Sequence, residues 1–287
     1  MRSLSLTALA LLAFVSTPLT GHANEVATAP DAKRVVAVGG SITEIVYELG
    51  EQKRLVARDS TSLYPQEALT LPDIGYMRQL PTEGVMSVDP DAILLLDGSG
   101  PPEAIEVLKK ASVPLVGIPD RFSREGIVEK VKAVGHALGV DAKADALAAK
   151  LDAEIASAEK TAAEAKEKKR VLFILSAPGG KIMASGQGTA ADGIIAMAGA
   201  ENVMGAFKGY KQVTDEAIIT AAPDVILMMD RGDHGASDEQ LFSHPALAET
   251  PAGKAKKVIR MEGTYLIGFG PRTAGAVRDL AAALAKP

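Results

Sequence analysis

One loop segment carries the side chain best suited to direct metal chemistry. In Gly75-Tyr76-Met77-Arg78, a tyrosine follows a glycine, and an arginine lies two residues further on. Tyrosinate is a hard anionic ligand suited to ferric iron, and tyrosine is a known axial ligand of haem iron. A neighbouring guanidinium would favour the phenolate over the phenol, or pair with a propionate. From these residues alone, a loop aromatic packed at the edge of a domain is the simpler interpretation.

A glycine turn offers a second candidate for chemistry. The segment from Val35 to Glu44 predicts a strand, a turn at Gly39 and Gly40, and the start of a helix. It lacks the three-glycine spacing of a dinucleotide loop and the lysine of a phosphate loop. Ser41, with Glu44 three residues on, predicts a capping box instead. The same turn could also line a cleft.

The histidines give little support for a metal centre or a hydrolase. His136 falls in a predicted helix, where we expect it to pack. His234 and His244 share a loop with two aspartates, Asp233 and Asp238. These four could form a weak metal site, but solvated loop residues are the simpler interpretation. No serine stands in a nucleophile elbow, so we do not expect an enzyme.

Composition excludes further classes of protein. The chain of 287 residues contains no cysteine, which excludes disulfides, thiolate metal sites, iron–sulfur clusters and cysteine nucleophiles. Its formal net charge of −5 provides no basic field to hold nucleic acid. We therefore expect no nucleic-acid partner.

The first residues predict a secretory signal peptide that ends at Ala23. Arg2 supplies the positive charge, Leu4 to Val15 is an almost unbroken apolar run, and Gly21-His22-Ala23 offers small residues for cleavage. The run is shorter than the roughly 20 apolar residues that a bilayer span requires. We expect cleavage after Ala23, export of the mature chain, and an N-terminal tail over residues 24–33.

An internal repeat predicts two related lobes. Glu83 to Asp97 aligns without a gap against Glu216 to Asp230, at a constant offset of 133 residues. In each copy a helix that opens with an acid precedes a proline-aspartate turn and a buried strand. Further short apolar runs alternate with amphipathic stretches, at residues 35–38, 114–118 and 171–175. The predicted fold class is α/β, with a mainly parallel sheet flanked by helices in each lobe.

Residues 141–169 predict the connection between the lobes. They contain no glycine or proline and are rich in Ala, Glu and Lys. An apolar stripe follows one side of this predicted helix: Leu147, Leu151, Ile155 and Ala158. The helix would be roughly 40 Å long. A surface helix of one continuous domain is the alternative, but the repeat favours one long rigid helix between an N-terminal lobe at 34–140 and a C-terminal lobe at 170–287.

From about Arg34 onward, the order of features resembles the haem-binding members of the cobalamin- and siderophore-type periplasmic binding proteins. Those proteins hand their cargo to ATP-binding-cassette (ABC) importers. The motifs that carry the resemblance are Gly39-Gly40-Ser41-Ile42-Thr43-Glu44, Arg58-Asp59-Ser60-Thr61, Gly75-Tyr76-Met77-Arg78, Ala184-Ser185-Gly186 with Ala191-Asp192, and Gly268-Phe269-Gly270-Pro271-Arg272. The first and last are widespread in the superfamily, whereas the glycine-tyrosine-x-arginine loop resembles the haem branch in particular.

The resemblance implies a ligand and a set of residues that hold it. It implies that Tyr76 is the axial ligand of ferric haem b, that Arg78 is its electrostatic partner, and that the haem lies between the lobes. Residues of the second lobe expected to close over the haem are Met204, Arg231 and Tyr265. Some relatives carry a histidine in the loop after the strand at 171–175 and hold a second haem. Here that loop, residues 176–180, has none, so we expect one haem and Tyr76 as its only protein ligand.

The resemblance also implies partners and a location. In the superfamily an acid on each lobe meets arginines of the two permease subunits, and Glu83 and Glu216 occupy the equivalent places in the repeat. First-turn acids favoured by the helix dipole are the simpler interpretation of both. The expected partners are haem, an ABC permease dimer with its ATPase, and an outer-membrane haem receptor system upstream. The expected location is the periplasm.

Three other functions remain open at this point. The same fold could carry a cobalamin or a ferric siderophore, although such sites favour aromatic stacking or basic clusters, and only 4% of residues are aromatic. An exported α/β enzyme with a nucleotide or sugar site would need a phosphate loop or an acid–base pair, and neither is found. A purely structural or interaction protein is a weaker alternative, which the lack of a cleft would support.

Overall fold

The first lobe is built on four short, mainly apolar strands. The computed structural model describes residues 28–230 and 236–286. The elements of this lobe are β1 (Val35–Val38), α1 (Gly40–Glu48), β2 (Leu55–Arg58), α2 (Thr82–Met86), β3 (Ala92–Leu96), α3 (Pro102–Lys110), β4 (Leu115–Ile118) and α4 (Arg124–Ala137). Its sheet has the order β2-β1-β3-β4, and every pair of neighbouring strands is parallel. β1 and β3 are completely or almost completely buried because helices cover both faces.

A long helix, α5 (Asp141–Ala163), leads from the first lobe to the second. It starts where the sequence predicts and buries the predicted apolar stripe, including Leu151 and Ile155. The predicted end at residue 169 is wrong, because the last buried position of the stripe is Ala162. The next six residues are charged apart from one alanine, so extending the helix would bury nothing further. The helix is therefore about 35 Å long.

The second lobe holds a mixed sheet. Its elements are β5 (Arg170–Ser176), β6 (Met183–Ser185), α6 (Ala190–Met197), β7 (Glu201–Asn202), β8 (Tyr210–Gln212), α7 (Asp215–Ala221), β9 (Val225–Asp230), α8 (Asp238–Phe242), α9 (Pro245–Ala248), α10 (Pro251–Lys254), β10 (Val258–Glu262), α11 (Gly263–Ile267) and α12 (Thr273–Ala285). The sheet has the order β10-β9-β5-β6-β8, and β7 also pairs with β5. β7 and β9 pair with β5 in parallel, and β10 pairs with β9 in parallel. At one edge of the sheet, β6 pairs antiparallel with β5, and β8 pairs antiparallel with β6.

In both copies of the internal repeat, an aspartate makes the same type of hydrogen bond at the start of a pair of parallel strands. In the first lobe the Asp91 carboxylate accepts hydrogen bonds from the backbone N–H groups of Lys33 and Arg34, at 2.9 and 2.8 Å. In the second lobe the Asp224 carboxylate accepts one from the Arg170 N–H at 2.9 Å. Each aspartate thus ties the start of its own strand, β3 or β9, to the start of the parallel neighbour. The proline-aspartate turn therefore fixes the start of a parallel strand pair in both lobes.

A buried lysine joins the two lobes. Lys130 on α4 is completely buried, and its ammonium group donates to Asp120 Oδ1 at 2.6 Å, the Phe269 carbonyl at 2.9 Å and Ser41 Oγ at 3.2 Å. These three acceptors use all three N–H donors of the ammonium group. Ser41 and Asp120 follow β1 and β4, and Phe269 follows β10 and α11, so the carboxyl ends of the first sheet meet the second lobe here.

A bidentate ion pair lies beside the lysine. Arg272 donates to both carboxylate oxygens of Glu44, at 2.6 and 3.0 Å, and its guanidinium lies over the Tyr64 ring at 4.2 Å. The predicted capping box is therefore wrong. The residue before α1 is Gly39, whose φ of 118° requires glycine, and no side chain caps the helix. The carboxylate of Glu44 and the hydroxyl of Ser41 are recruited by residues far along the chain instead.

One apolar core runs through both lobes. It extends from Val35 in the first strand to Leu284 in the last helix, and α12 packs directly on α5. A second core lies behind the sheet of the second lobe, where Leu172 and Ile174 point away from the neighbouring Val171 and Phe173. Among the described residues, no helix has both the length and the apolar character needed to cross a bilayer.

We predict that Lys130→Met destabilises the protein by about 3 kcal/mol, because the Asp120 carboxylate and the Phe269 carbonyl would be buried without their donor. Urea unfolding followed by circular dichroism measures the change. Lys132→Met is the matched control: Lys132 lies on the same helix and makes an exposed ion pair with Asp145 at 3.1 Å, so it should cost about 0.5 kcal/mol or less. Equal unfolding midpoints for the two variants would contradict the assigned role of Lys130.

Candidate functional site

Buried neighbours hold the loop that carries Tyr76. Ile74, Met77 and Leu80 are buried on either side of it. The Gly75 carbonyl accepts from the Ser60 N–H at 2.9 Å, and the Met77 carbonyl accepts from the Gly100 N–H at 2.9 Å. The loop is thus attached to the segments that follow β2 and β3, at the carboxyl edge of the first sheet.

Gly75 gives this loop its shape. Its φ of 99° lies in the left-handed region, and a Cβ at this position would lie 2.9 Å from Pro81 Cδ. Any other residue would therefore be strained here and would collide with Pro81. The turn directs the following side chain outward, and Tyr76 is 40% exposed although Ile74 and Met77 are buried.

The structure brings Tyr76 and Arg78 together as a pair. Arg78 Nη1 donates to the Tyr76 phenol oxygen at 3.0 Å. The pair thus places a side-chain oxygen and a positive charge side by side on the surface of the first lobe.

A second tyrosine faces this pair from the other lobe. Tyr210, the first residue of β8, is 36% exposed and lies near enough to Arg78 for the two to interact electrostatically. Burial raises the pKa of Tyr210, while hydrogen bonds with Thr189 and with the Ala191 backbone, and then the charge of Arg78, oppose that shift. Because the net shift is upward, Tyr210 remains a phenol at neutral pH. Arg78 of the first lobe and Tyr210 of the second thus lie on opposite sides of the gap between the lobes, the cleft.

Two of the predicted second-lobe residues are engaged by other parts of the protein. Met204 is only 4% exposed and packs in the second core, so it has no surface to offer a ligand. Tyr265 donates its hydroxyl to Asp279 Oδ2 at 2.8 Å. Burial and this hydrogen bond raise the pKa of Tyr265 to about 12. These contacts argue against the predicted roles of Met204 and Tyr265, which stay predictions, and Arg231 lies outside the described residues.

The histidines occupy positions that the sequence did not suggest. His136 is exposed and pairs with Asp141 at 3.0 Å, so it is not a packing residue. His244 precedes α9 and is mostly buried, with its Nε2 2.9 Å from the Gly180 carbonyl. Its Nδ1 has no hydrogen-bond partner among the described residues. His234 and Asp233, like the predicted signal peptide, lie outside these residues.

His244 lines a cavity of about 710 Å³ in the second lobe. The cavity lies at the carboxyl ends of β5 and β9, next to the loop at 176–180, and apolar side chains such as Leu175, Met229 and Leu241 form part of its wall. Within residues 28–230 and 236–286, no three histidine, aspartate or glutamate side chains converge where a free metal ion could bind.

The two repeat glutamates lie on the surface. Glu83 is in the first turn of α2, and Glu216 is in the first turn of α7. Both side chains are exposed, and neither forms an ion pair with another described residue. The structure therefore leaves both carboxylates accessible, one on each lobe.

Comparison with known proteins identifies the family. A family model of periplasmic binding proteins matches residues 35–265 of this chain. The chain belongs to this family. Its members supply substrates to ABC transporters and are not enzymes, so this is a substrate-binding protein of an ABC transporter.

Two solved structures of periplasmic haem-binding proteins resemble this binding protein. BhuT, in complex with two hemes, is 37% identical, with a TM-score of 0.82 over 88% of this chain and 98% of that one. RhuT from Roseiflexus sp. RS-1, in the apo form, is 35% identical, with a TM-score of 0.84 over the same shares.

Curated relatives are more distant and carry other descriptions. An uncharacterized ABC transporter substrate-binding lipoprotein of Bacillus subtilis is 27% identical, over 88% of this binding protein and 79% of the relative. A vitamin B12-binding protein of Vibrio parahaemolyticus is 26% identical, over 86% of this chain and 88% of the relative.

Sequence reasoning missed Tyr210, although a signal for it exists. The dipeptide glycine-tyrosine occurs twice in the chain, at Gly75-Tyr76 and at Gly209-Tyr210, and a short segment separates each from its repeated helix. Gly209 also has a positive φ, of 75°. The binding protein therefore places one glycine-tyrosine pair on each lobe, at nearly equivalent positions.

We predict that Tyr265→Phe lowers the free energy of unfolding by about 1 kcal/mol, because it removes the hydrogen bond to Asp279, and that it leaves ligand affinity unchanged. Urea unfolding and ligand titration measure the two effects. Tyr47→Phe is the control, since the Tyr47 hydroxyl makes no hydrogen bond to a described residue and its loss should change stability by less than about 0.5 kcal/mol. A large loss of ligand affinity in Tyr265→Phe would restore Tyr265 to the ligand site.

Proposed function

We propose that this protein captures ferric haem b between its lobes and delivers it to an ABC permease for the uptake of haem iron. The observation that carries the proposal is the Tyr76–Arg78 pair, with 3.0 Å between the guanidinium nitrogen and the phenol oxygen, at the edge of the cleft. Tyrosinate suits ferric iron, and the porphyrin supplies the other four in-plane ligands. The likeness to BhuT and RhuT supports haem as the ligand.

Each wall of the cleft has a separate task in this proposal. Tyr76 binds the iron, while Arg78 stabilises the phenolate and attracts a propionate. Tyr210 contacts the porphyrin from the second lobe as a neutral phenol, because burial raises its pKa. The protein protects a ligand that aggregates in water, and the transporter supplies the energy for passage through the membrane.

One haem per protein is our proposal for the stoichiometry. The loop at 176–180 has no histidine to bind a second iron. BhuT nevertheless holds two hemes. The cavity beside His244 is the place where a second haem would be sought, because Nδ1 of that imidazole has no partner in the described residues.

Cobalamin is the second candidate ligand. It is favoured by the relative in Vibrio parahaemolyticus, which is a vitamin B12-binding protein. A corrinoid has its own metal and lower axial group, so its binding would not depend on a protein phenolate. The dependence of binding on Tyr76 therefore separates the two ligands.

Export and docking complete the proposal. We propose that residues 1–23 are removed after Ala23 and that the mature chain, with its lobes at 34–140 and 170–287, works in the periplasm below an outer-membrane haem receptor. Glu83 and Glu216 are proposed to meet arginines of the two permease subunits. Their exposure, one on each lobe, supports this assignment.

We predict that the mature wild-type protein binds one equivalent of ferric haem with a tyrosinate-type charge-transfer band, and that Tyr76→Phe loses the band and weakens affinity about 100-fold because no phenolate remains. Absorption titration measures both. Tyr64→Phe is the matched control, since Tyr64 is a similarly exposed tyrosine with an arginine beside its ring.

Other outcomes of the titration count against the proposal in identifiable ways. Equal binding by wild type and Tyr76→Phe would remove Tyr76 as the ligand. Saturation at two equivalents would contradict the stoichiometry, and His244→Ala would then test the cavity. Saturable binding of cyanocobalamin without saturable binding of haem would show that the ligand is a cobalamin and not haem.

We predict that Glu83→Lys combined with Glu216→Lys abolishes haem-dependent growth of a strain that lacks the native protein, because both permease contacts become repulsive, while haem affinity stays unchanged. The control is Glu103→Lys combined with Glu239→Lys. It reverses one exposed first-turn acid in each lobe and changes the net charge equally. Growth of both strains at the wild-type rate would contradict the docking role and leave the two repeat glutamates as first-turn acids that the helix dipole favours.

A further inference from the structure

The helical turn that begins at each repeat glutamate has one five-position pattern. In both copies the order is an acid, a small residue, a β-branched residue, a large apolar residue and a hydroxyl residue. The two copies are Glu83-Gly84-Val85-Met86-Ser87 and Glu216-Ala217-Ile218-Ile219-Thr220. The likeness therefore extends beyond the two carboxylates to the side chains around them.

The burial of these positions is repeated as well. Val85 and Ile218 are completely buried and anchor their helices to the lobes. One position further on, Met86 is 37% exposed and Ile219 is 47% exposed. Single exposed apolar residues are ordinary on a protein surface. Here, however, the same exposure occurs at the same place in both lobes.

Each exposed apolar side chain lies beside the acid of its own lobe. Met86 follows Glu83 by three positions on α2, and Ile219 follows Glu216 by three positions on α7, so each pair is neighbouring on one helix face. Both helices precede the strand that pairs in parallel with the first strand of its sheet. The two lobes thus present two copies of one small surface, an acid next to an apolar group.

We propose that Met86 and Ile219 are the paired apolar contacts by which this protein docks on its permease. Two equivalent surfaces on one chain fit a partner with two like subunits, each with an apolar pocket beside a basic side chain. This inference rests on the proposed function, since it deepens the docking of Glu83 and Glu216. Charge sets the orientation, and burial of the two apolar side chains supplies affinity.

Charge also argues against the simplest other occupant, a second copy of this chain. If two copies met through these surfaces, the glutamates of one copy would face those of the other. Such like charges oppose association unless a cation pairs with them. A permease with basic side chains at its outer surface removes this conflict.

The test measures affinity for the cognate permease–ATPase complex held in nanodiscs, using haem-loaded binding protein. The variants are Met86→Ser, Ile219→Ser and their combination. Val107→Ser is the matched control: Val107 is 55% exposed, the most exposed of the large apolar side chains described, and lies on α3 outside the repeat. Met86→Leu and Ile219→Leu test rescue by another apolar group. Thermal unfolding checks that every variant is folded.

Each serine variant is expected to weaken binding to the transporter about tenfold and the combination about 100-fold, because the two contacts are distant and independent. Val107→Ser and both leucine variants should stay within about threefold of wild type. An effect of Val107→Ser as large as the others, an effect at one lobe only, or no binding by wild type would overturn the inference. So would a wild-type dimer in sedimentation that the combined variant loses.

Ferric-haem titration of the same proteins separates this inference from the ligand assignment. The serine variants should bind haem as wild type does, because neither residue lies at the cleft residues Tyr76, Arg78 and Tyr210. If wild type bound no haem but the docking pattern held, the ligand would be wrong and the docking surface would stand.

Discussion

A single buried ammonium group holds the geometry on which the cleft depends. Lys130 joins segments that follow three different strands, two in the first lobe and one in the second. A charge can be buried in this way only because three acceptors converge on it. The bidentate contact between Glu44 and Arg272 reinforces the same junction. The motifs at 39–44 and 268–272 are thus the two sides of one lobe contact.

The site needs this fixed junction because its parts come from both lobes. The positions of Tyr76 and Arg78 are fixed within one loop, by a glycine turn and buried neighbours. No contact from the second lobe is needed to hold the pair together. Tyr210 is different, since it is useful only if β8 lies at the right distance across the cleft. In the proposed function, a ligand as large and flat as haem would be held by both walls, and the lobe junction would control the width available to it.

Sequence patterns predicted the parts of the fold that local chemistry determines. β3 is apolar throughout, β9 is apolar up to its final Asp230, and the apolar stripe of α5 has helical spacing, so these elements could be recognised without the structure. β8 was not predicted because its three residues are all exposed and its pairing is antiparallel. The capping box failed for a related reason: Glu44 and Arg272 are 228 residues apart, and no local pattern reports such a contact. The contact between Tyr76 and Arg78 could be predicted because both residues lie in one short loop and that loop resembles the haem branch of the superfamily.

The shared core has a consequence for the order of events when the chain is made. The last helix, α12, packs on α5 and contributes residues as late as Leu284 to the same core that contains Val35 in the first strand. The first lobe therefore cannot complete its core until the final helix has emerged. A chain whose core is completed by its C-terminus stays partly open while it is synthesised. The packing that stabilises the finished protein therefore ties the completion of its core to the end of synthesis.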